Sequence, residues 1–456
     1  MIKIDVNDIV DREKLAPLQW VVFVLGFLVF FCDGLDTGII GFIAPPLLDE
    51  WQISKAELAP VFGAALIGMS IGALISGIFA DKFGRKKIMI SSMLILSIFT
   101  IISAYSTNTA ELIIYRFITG LGLGATMPNV STIVSEYMPK KHRAFLTGLA
   151  GCGFLMGVSS GGFLSAYLLK IFSWSELLII IGLIPALLTL VLIFTLPEST
   201  QFLIINNQKK KALLILEKIH GKKIDKELVL SIAEKELVEQ NNPLKDIFSK
   251  YLFGSLMLWL CSFMSLLVFY LFTSWMPTIL KTVGFDLQQL SLMSTLFPFG
   301  GVIGAMIMCR FMDRLNPTKV ITSSYFSAFL LFILLSFTHT NISIFSILIF
   351  MIGGLLAGAQ TALFPLATLF YPANCRGSGV SWMHGISRIG AILGSFLGSF
   401  IFTLKLDMSS IFLSLAISTF IAFICLALKW YGELNIAKQK FKVVLNRTGF
   451  VGDSVF

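Results

Sequence analysis

The segment "GMSIGALISGIFADKFGRKKI" (residues 68–88) returns 232 positions later as "GGVIGAMIMCRFMDRLNPTKV" (residues 300–320). Six equivalent positions carry the same residue in both segments: Gly68/Gly300, Gly72/Gly304, Ala73/Ala305, Phe79/Phe311, Asp81/Asp313 and Lys87/Lys319. At a shift of 233, three further positions match: Arg143/Arg376, Gly157/Gly390 and Gly161/Gly394. This spacing predicts that the chain consists of two copies of one structural unit.

Each copy contains six apolar stretches that are long enough to cross a membrane. Of the 456 residues, 56% are hydrophobic and only 13% are charged, whereas soluble proteins usually carry about 25% charged residues. A membrane-spanning helix needs roughly 20 apolar residues. Twelve stretches meet this length: 20–46, 57–80, 88–107, 111–136, 144–169, 175–196, 252–280, 289–311, 318–338, 342–368, 378–403 and 409–430. The composition therefore predicts an all-α membrane protein with twelve transmembrane helices.

The arrangement of the two copies follows from the number of spans in each. Because six is an even number, both copies enter the membrane from the same side, and they form two parallel six-helix repeats around a central cavity. The expected regions are a cytoplasmic N-terminus, an N-terminal half, a cytoplasmic linker, a C-terminal half and a cytoplasmic basic tail: 1–19, 20–196, 197–251, 252–430 and 431–456. Two linker segments, "NNQKKKALLILEKIHGKK" and "DKELVLSIAEKELVEQ", have the amphipathic pattern of helices at a membrane surface.

The lysine and arginine residues predict which side of the membrane faces the cytoplasm. If both termini are inside, only four of the 35 basic residues lie outside, namely Lys55, Lys170, Lys281 and Lys405. The positive-inside rule therefore favours cytoplasmic termini. The net charge of +9 is explained by basic loops that face anionic lipid, so the expected partner is the lipid bilayer and not a nucleic acid.

The segment "FCDGLDTGII" (residues 31–40) places two carboxylates inside the first apolar stretch. Asp33 and Asp36 are three residues apart and share one face of a helix. A rise of 1.5 Å per residue puts them about 20 and 24 Å from the cytoplasmic surface, and Arg116 of the fourth span about 21 Å from it. Neighbouring buried carboxylates repel, so one favours a proton while Arg116 stabilises the other. This predicts a proton-binding site; the alternative is a structural Asp–Arg pair between spans 1 and 4.

A second charged position lies in "RGSGVSWMHGISRIGAILG" (residues 376–394). Arg388 is about 16 Å into the eleventh span, too deep for its side chain to reach the surface cheaply. We interpret Arg388 as the site of a substrate carboxylate, with a structural ion pair as the alternative. His384, one turn earlier, is either part of this site or a packing residue. Further candidates for substrate contact in the second half are Tyr270, Trp275, Phe297, Phe364 and Gln360.

The loop "GIFADKFGRKK" (residues 77–87) joins spans 2 and 3. It resembles the G-x-x-x-D-[RK]-x-G-R-[RK]-[RK] loop of the major facilitator superfamily, which implies a conformational latch and not a substrate site. The residues of this predicted latch, with their counterparts in the second copy, are Gly77, Asp81, Gly84, Arg85, Asp313 and Arg314. A basic loop that only obeys the positive-inside rule would explain Arg85, but it would not explain the aspartate and the two glycines.

The segment "DGLDTGIIGFIAPPLLDEW" (residues 33–51) resembles the D-G-x-D-T region of the aromatic acid:proton symporter family, most of all its bacterial 4-hydroxybenzoate and protocatechuate transporters. The resemblance continues over nearly the whole chain, through "YRFITGLGLGATMPN", "LPESTQFLI", "YLFTSWMPTIL" and "GVSWMHGISRIGAILG". It implies a major facilitator fold and proton-coupled import of an aromatic carboxylate, by alternating access, across a bacterial inner membrane. It also implies that Asp33 and Asp36 are required and that Arg116 and Arg388 belong to the machinery.

Two residues beside Arg388 depart from that family's pattern. His384 and Ser387 stand where an apolar residue and a glycine are usual, which leaves the identity of the substrate open. The alternative function is therefore transport of another small organic anion, such as nicotinate, muconate or a sugar acid. The sequence shows no nucleophile–base pair, metal-ligand set or phosphate loop, so we expect no enzyme activity, no metal and no cofactor. We expect the protein to function as a monomer.

Overall fold

The computed structural model of the chain describes residues 15–139, 142–206, 208–221, 247–282, 284–312, 314–338, 342–371, 375–404 and 407–448. Within these ranges the chain forms helices and no strand. The helices of the first half are α1 (Pro17–Trp51), α2 (Lys55–Phe83), α3 (Arg85–Ser103), α4 (Thr109–Tyr137), α5 (Arg143–Leu168) and α6 (Trp174–Thr195). Two short helices follow, α7 (Thr200–Ile205) and α8 (Lys209–His220). The second half contains α9 (Leu252–Thr282), α10 (Leu287–Met312), α11 (Pro317–Phe337), α12 (Ile342–Phe370), α13 (Arg376–Thr403) and α14 (Met408–Thr448).

The twelve predicted spans are confirmed as twelve helices long and apolar enough to cross a membrane. Their bounds agree with the prediction to within a few residues, except that α14 continues well past residue 430, to Thr448. The first amphipathic segment of the linker forms α8. The second, residues 225–240, lies outside the described residues.

The glycines that repeat between the two copies have one structural explanation. A side chain on Gly68 or Gly72 would collide with the backbone of α4, at the carbonyl groups of Phe117 and Leu121. Their counterparts Gly300 and Gly304 press in the same way on the backbone of α12. Small residues let two helices approach closely in a membrane. The repeated glycines therefore lie at the same helix–helix contact in each half: α2 with α4 in the first half, and α10 with α12 in the second.

The two halves touch at one end of the bundle and separate at the other. We call the end that carries the start of α1 and helices α7 and α8 the linker end, and the opposite end the distal end. Towards the distal end, Gly63 of α2 packs against the Phe396 ring of α13, and Gly162 of α5 packs against Thr295 of α10.

The same helix faces are open nearer the linker end. Gly77 and Gly148 lie fourteen residues, close to four helical turns, from Gly63 and Gly162, and therefore on the same faces. Neither Gly77 nor Gly148 has a neighbouring atom within 4 Å of the place where a β-carbon would be. Along these two faces, the interface between the halves is closed at the distal end and open at the linker end.

Candidate functional site

Asp36, Arg116 and Thr100 form a buried polar cluster within the first half. The two terminal nitrogens of Arg116 donate to the two carboxylate oxygens of Asp36, at 3.1 and 2.7 Å. The hydroxyl of Thr100 donates to Asp36 Oδ1 at 2.6 Å. All three side chains are at most 2% exposed. The cluster therefore ties α1, α3 and α4 together through one fully paired carboxylate.

Asp33 lies on the same helix but has a different environment. Its side chain is fully buried, and neither carboxylate oxygen has a hydrogen-bond partner among the described residues. Asp36 and Arg388 are the charged groups that act on it electrostatically. A buried carboxylate without a partner is costly when ionised. Of the two aspartates that the sequence predicted as a proton site, the structure pairs Asp36 with Arg116 and leaves Asp33 unpaired.

The packing of α1 against α5 decides which aspartate faces Arg116. A side chain on Gly34 would collide with the Phe154 carbonyl of α5, and one on Gly157 would collide with the Phe31 carbonyl of α1. These two contacts fix the rotation of α1 about its axis. The three-residue spacing then separates the directions of the aspartates by about 60°, because each residue turns the helix by about 100°.

Arg388 reaches from the second half towards the first. It lies on α13, and its Nη2 is 3.6 Å from the sulfur of Met127 on α4. This weak contact is its only hydrogen bond within the described part of the chain. Tyr270 of α9 and Asp33 of α1 lie within electrostatic range of the guanidinium. A guanidinium has five N–H donors, so Arg388 has the capacity to bind an anion between the halves.

Polar side chains from three helices of the second half meet beside Arg388. The hydroxyl of Ser387 on α13 donates to Ser262 of α9 at 2.5 Å. The Gln360 amide of α12 contacts Ser262 at 3.5 Å, and its oxygen has no partner among the described residues. These contacts link Gln360 through Ser262 to Ser387, the residue that precedes Arg388.

His384 and Phe364 form an aromatic pair on the same side of α13 and α12. Their ring centroids are 5.5 Å apart with an interplanar angle of 45°. Both side chains are exposed. Since they lie between Arg388 and the linker end, they border the open part of the interface.

Two other aromatic candidates are packing residues in this conformation. Trp275 is fully buried, and its indole nitrogen donates to the Ser395 carbonyl at 2.7 Å. Phe297 is also fully buried and stacks on Phe272 with 4.3 Å between ring centroids. By contrast Tyr270 lines a small cavity with Thr37, Arg116 and Ser274. The cavity measures about 20 Å³, which is room for a single water molecule and not for an aromatic acid.

The loop between α2 and α3 is anchored by acids that the sequence reasoning missed. Arg85 forms an ion pair with Glu136 at the end of α4. The backbone N–H of Lys86 donates to Glu198 at 3.0 Å, and Tyr137 donates to the Glu198 carbonyl at 2.8 Å. Glu198 belongs to the "LPEST" segment after α6. The same segment contributed to the family resemblance, so the sequence did contain a signal that pointed to Glu198.

The remaining latch residues are described only in part. Gly84 has φ of +98°, a conformation that favours glycine, and a side chain there would meet Glu198. Gly77 and Arg314 are exposed. The side chain of Asp81 and the whole of Asp313 lie outside the described residues.

No group of three metal-ligating side chains comes together within the described ranges. The residues that do come together are a paired Asp36, an unpaired Asp33 and an arginine with free donors. Chemically, this arrangement is suited to holding a proton and an anion within a short distance.

Comparison with known proteins identifies relatives that match most of the chain and most of their own length. Residues 26–277 and 258–444 match the family described as Major Facilitator Superfamily. The 4-hydroxybenzoate transporter PcaK of Pseudomonas aeruginosa is 40% identical over 94% of this chain and 96% of its own length. The transporter of that name from Pseudomonas putida is 42% identical over 87% of this chain and 89% of its own length.

A solved structure has the same fold at low sequence identity. The xylose transporter XylE from E. coli, in a partially occluded inward open conformation, superposes with a TM-score of 0.73. The match covers 91% of this chain and 97% of that chain, with 16% identity. At this identity the likeness concerns the fold alone.

Proposed function

The chain belongs to the major facilitator superfamily, in its group of aromatic acid transporters, and we propose that it imports an aromatic carboxylate together with protons. The proposed substrates resemble 4-hydroxybenzoate, after which the relatives are named. The proposed location is the inner membrane of a bacterium, with both termini in the cytoplasm and the monomer as the working unit. No cofactor takes part in this proposal.

Arg388 is the observation that carries the proposal. It is a guanidinium between the halves with free donors among the described residues, and residue counting puts it about 16 Å into its span. Guanidinium groups bind carboxylates through two parallel hydrogen bonds. Gln360 and Tyr270 are the proposed contacts to the rest of the bound acid, and the exposed pair of His384 and Phe364 is proposed to border its path.

The open and closed ends of the interface support alternating access. If the linker end is cytoplasmic, the structure is an inward-facing state, in which the site communicates with the cytoplasm and the distal end is sealed. Import then requires a second state with the distal end open.

Proton coupling follows from the charge of the substrate. Import of an anion against an inside-negative potential costs about 2.3 kcal/mol per charge per 100 mV. One co-transported proton cancels that charge, and a further proton or a pH gradient drives accumulation. Asp33 and Asp36 are the carboxyl groups proposed to carry such a proton, and Arg116 is the basic group that pairs with Asp36.

Uptake into proteoliposomes tests the proposal. Purified protein is reconstituted, an inward-directed proton gradient (acid outside) is imposed, and labelled 4-hydroxybenzoate is followed over time. We expect accumulation above equilibrium that collapses with a protonophore. A panel of benzoate, nicotinate, muconate and sugar acids, measured by thermal stabilisation of the purified protein, separates the aromatic class from the alternatives. Absence of accumulation with every acid of the panel would contradict the proposal.

The latch assignment predicts a defect in switching. The substitution Gly84→Val forces a β-branched side chain into a positive-φ position and towards Glu198. Such strain costs about 1–3 kcal/mol. We therefore expect the transport rate to fall about tenfold or more, while substrate affinity stays within a few-fold of the original. Uptake rate and equilibrium binding measured on the same preparation distinguish these effects.

A second glycine provides the control for that prediction. Gly221 has φ of +75° at the end of α8 and is exposed. The substitution Gly221→Val therefore introduces similar backbone strain outside the loop between α2 and α3 and away from the distal end. If the transport rate falls by the same factor in both variants, the cause is general backbone strain and not the latch.

A further inference from the structure

The two first-span aspartates are not equivalent, and the difference points to a residue outside the predicted site. Asp36 accepts three hydrogen bonds on its carboxylate, two from Arg116 and one from Thr100. Asp33 accepts none from any described residue. We propose that Thr100 is a positioning residue, which holds Asp36 on Arg116 so that Asp33 alone carries the exchangeable proton. This inference rests on the proton coupling proposed above.

The contact geometry supports a specific role for Thr100. Its hydroxyl donates to Asp36 Oδ1, the same oxygen that takes the longer of the two Arg116 bonds. Hydrogen bonds to an ionised carboxylate favour its charged form. With Arg116 and Thr100 both in place, the Asp36 carboxylate is held by three hydrogen bonds, and the cluster acts as a fixed anchor between three helices.

The surroundings of Asp33 complete the assignment. The titratable or charged groups that face it are Cys32 and Asp36 on its own helix, Tyr270 on α9 and Arg388 on α13. Only Arg388 among these is a cation, and it belongs to the other half. Movement of the halves therefore changes the distance between Asp33 and its one attractive charge. A substrate carboxylate on Arg388 would weaken the same attraction and favour a proton on Asp33.

The test compares Thr100→Val with Thr100→Ser in the full-length protein. Valine has nearly the shape of threonine but no hydroxyl, whereas serine keeps the donor. Acid-driven uptake is measured as a function of pH. Uptake should fall once the medium becomes acidic enough. Because the valine variant lacks a hydrogen bond to a charged group, this fall should begin at a pH about one to two units higher than in the original protein. The serine variant should follow the original profile.

A second measurement keeps the test independent of transport. The melting temperature of purified protein is recorded against pH, and we expect the same upward displacement for Thr100→Val alone. A uniform loss of rate and stability at all pH values in the valine variant would show a packing role and overturn the inference. Failure of the proposed function would appear differently, as absence of acid-driven uptake by the unmodified protein.

A second inference comes from the distal end, where lysines join the halves. Lys281 at the end of α9 pairs with Asp49 of α1 and donates to the Pro45 carbonyl at 3.1 Å. Lys170 after α5 donates to Gln288 of α10.

The third contact pairs α2 with α13. The ammonium group of Lys55 lies 4.0 Å from the centroid of the Phe402 ring. We define these three contacts, made by Lys55, Lys170 and Lys281, as the distal clasp. Each contact crosses from one half to the other.

The distal clasp gives a structural role to three of the lysines that the positive-inside rule predicts to lie on the outer side. Four basic residues are expected outside, and the fourth, Lys405, lies outside the described residues. We infer that the distal clasp is the gate that holds the distal end closed and must open for substrate to enter. Exposed contacts of this kind are individually weak, which suits a gate that opens in every cycle. This inference rests on the alternating access proposed above.

A cysteine below the clasp reports on the gate. Ser274 lines the central cavity and lies seven residues before Lys281, on the same face of α9. Ser274→Cys is introduced after replacement of the native cysteines, and a membrane-impermeant maleimide is added from the distal side. With Lys281→Met, we expect the labelling rate to rise by up to about fivefold. Removing all three lysines should raise it further.

Two variants control this experiment. Lys319→Met removes an exposed lysine at the linker end and should leave the labelling rate unchanged. The exchange Asp49→Lys with Lys281→Asp restores the ion pair and should restore slow labelling. Fast labelling of the reporter in the intact protein, or an unchanged rate after removal of the three lysines, would overturn the inference. Neither outcome depends on which acid is transported.

Discussion

Replacing Arg388 by alanine should abolish substrate binding. The guanidinium lies between the halves, and no carboxylate among the described residues pairs with it, in contrast to Arg116. A bidentate, charge-assisted pair contributes two hydrogen bonds, each worth about 1.5–3 kcal/mol. We therefore expect affinity for the aromatic acid to fall at least about a hundredfold. Isothermal calorimetry or thermal stabilisation of purified Arg388→Ala protein measures the loss.

Matched variants separate recognition from general effects of removing an arginine. Arg310→Ala removes an exposed arginine near the end of α10 and should leave affinity unchanged. Arg388→Lys keeps the charge but not the planar fork, so it should retain only part of the affinity. The uncharged amide of the same aromatic acid should not bind the original protein. Normal binding by folded Arg388→Ala protein would contradict the assignment of Arg388 to the carboxylate.

The helices and the two copies could be predicted from the sequence because the signals are local or repeated. Apolar length defines each span, and the repeated Gly68 and Gly300 mark the same helix contact in both halves. The extension of α14 to Thr448 was not predicted, since the apolar pattern ends near residue 430 while the backbone continues as a helix. Hydrophobicity predicts where a membrane span ends, but it does not predict where a helix ends.

The site could be predicted only to the level of depth in the membrane. Counting residues placed Asp33, Asp36 and Arg116 at one level, and the Asp36–Arg116 pair agrees with that count. The choice between the two aspartates depends on the rotation of α1, which is set by close packing on another helix. Thr100 was missed for a related reason: a hydroxyl residue in an apolar span has no sequence signal until its neighbour is known.

Buried aromatic residues show the same limit. Trp275 and Phe297 were predicted as substrate contacts because they lie beside helix breakers. In the conformation described here, the indole nitrogen of Trp275 is already paired and Phe297 is enclosed by other rings. Their part in substrate contact stays a prediction, which concerns the state with the distal end open. Sequence position alone does not say in which state a side chain is accessible.

Replacing Asp33 by asparagine should abolish accumulation driven by a pH gradient while leaving substrate binding. Asparagine has nearly the same shape but carries no exchangeable proton. Since the carboxyl group of Asp33 has no partner among the described residues, its replacement breaks no ion pair, and binding at Arg388 should remain within a few-fold. Accumulation under an acid-outside gradient should fall to the level reached without a gradient. Exchange of labelled for unlabelled substrate, which needs no net proton movement, should continue.

Asp36→Asn is the contrasting variant, and its defect should have another origin. It leaves Arg116 buried without a carboxylate, and breaking one side of a buried ion pair costs about 3–5 kcal/mol. We therefore expect a clear loss of thermal stability for Asp36→Asn and little loss for Asp33→Asn. Melting temperature, exchange and gradient-driven accumulation measured side by side separate the two roles. If Asp33→Asn still accumulates substrate under the gradient, the proton is carried elsewhere, and Asp36 becomes the group to which coupling must be assigned.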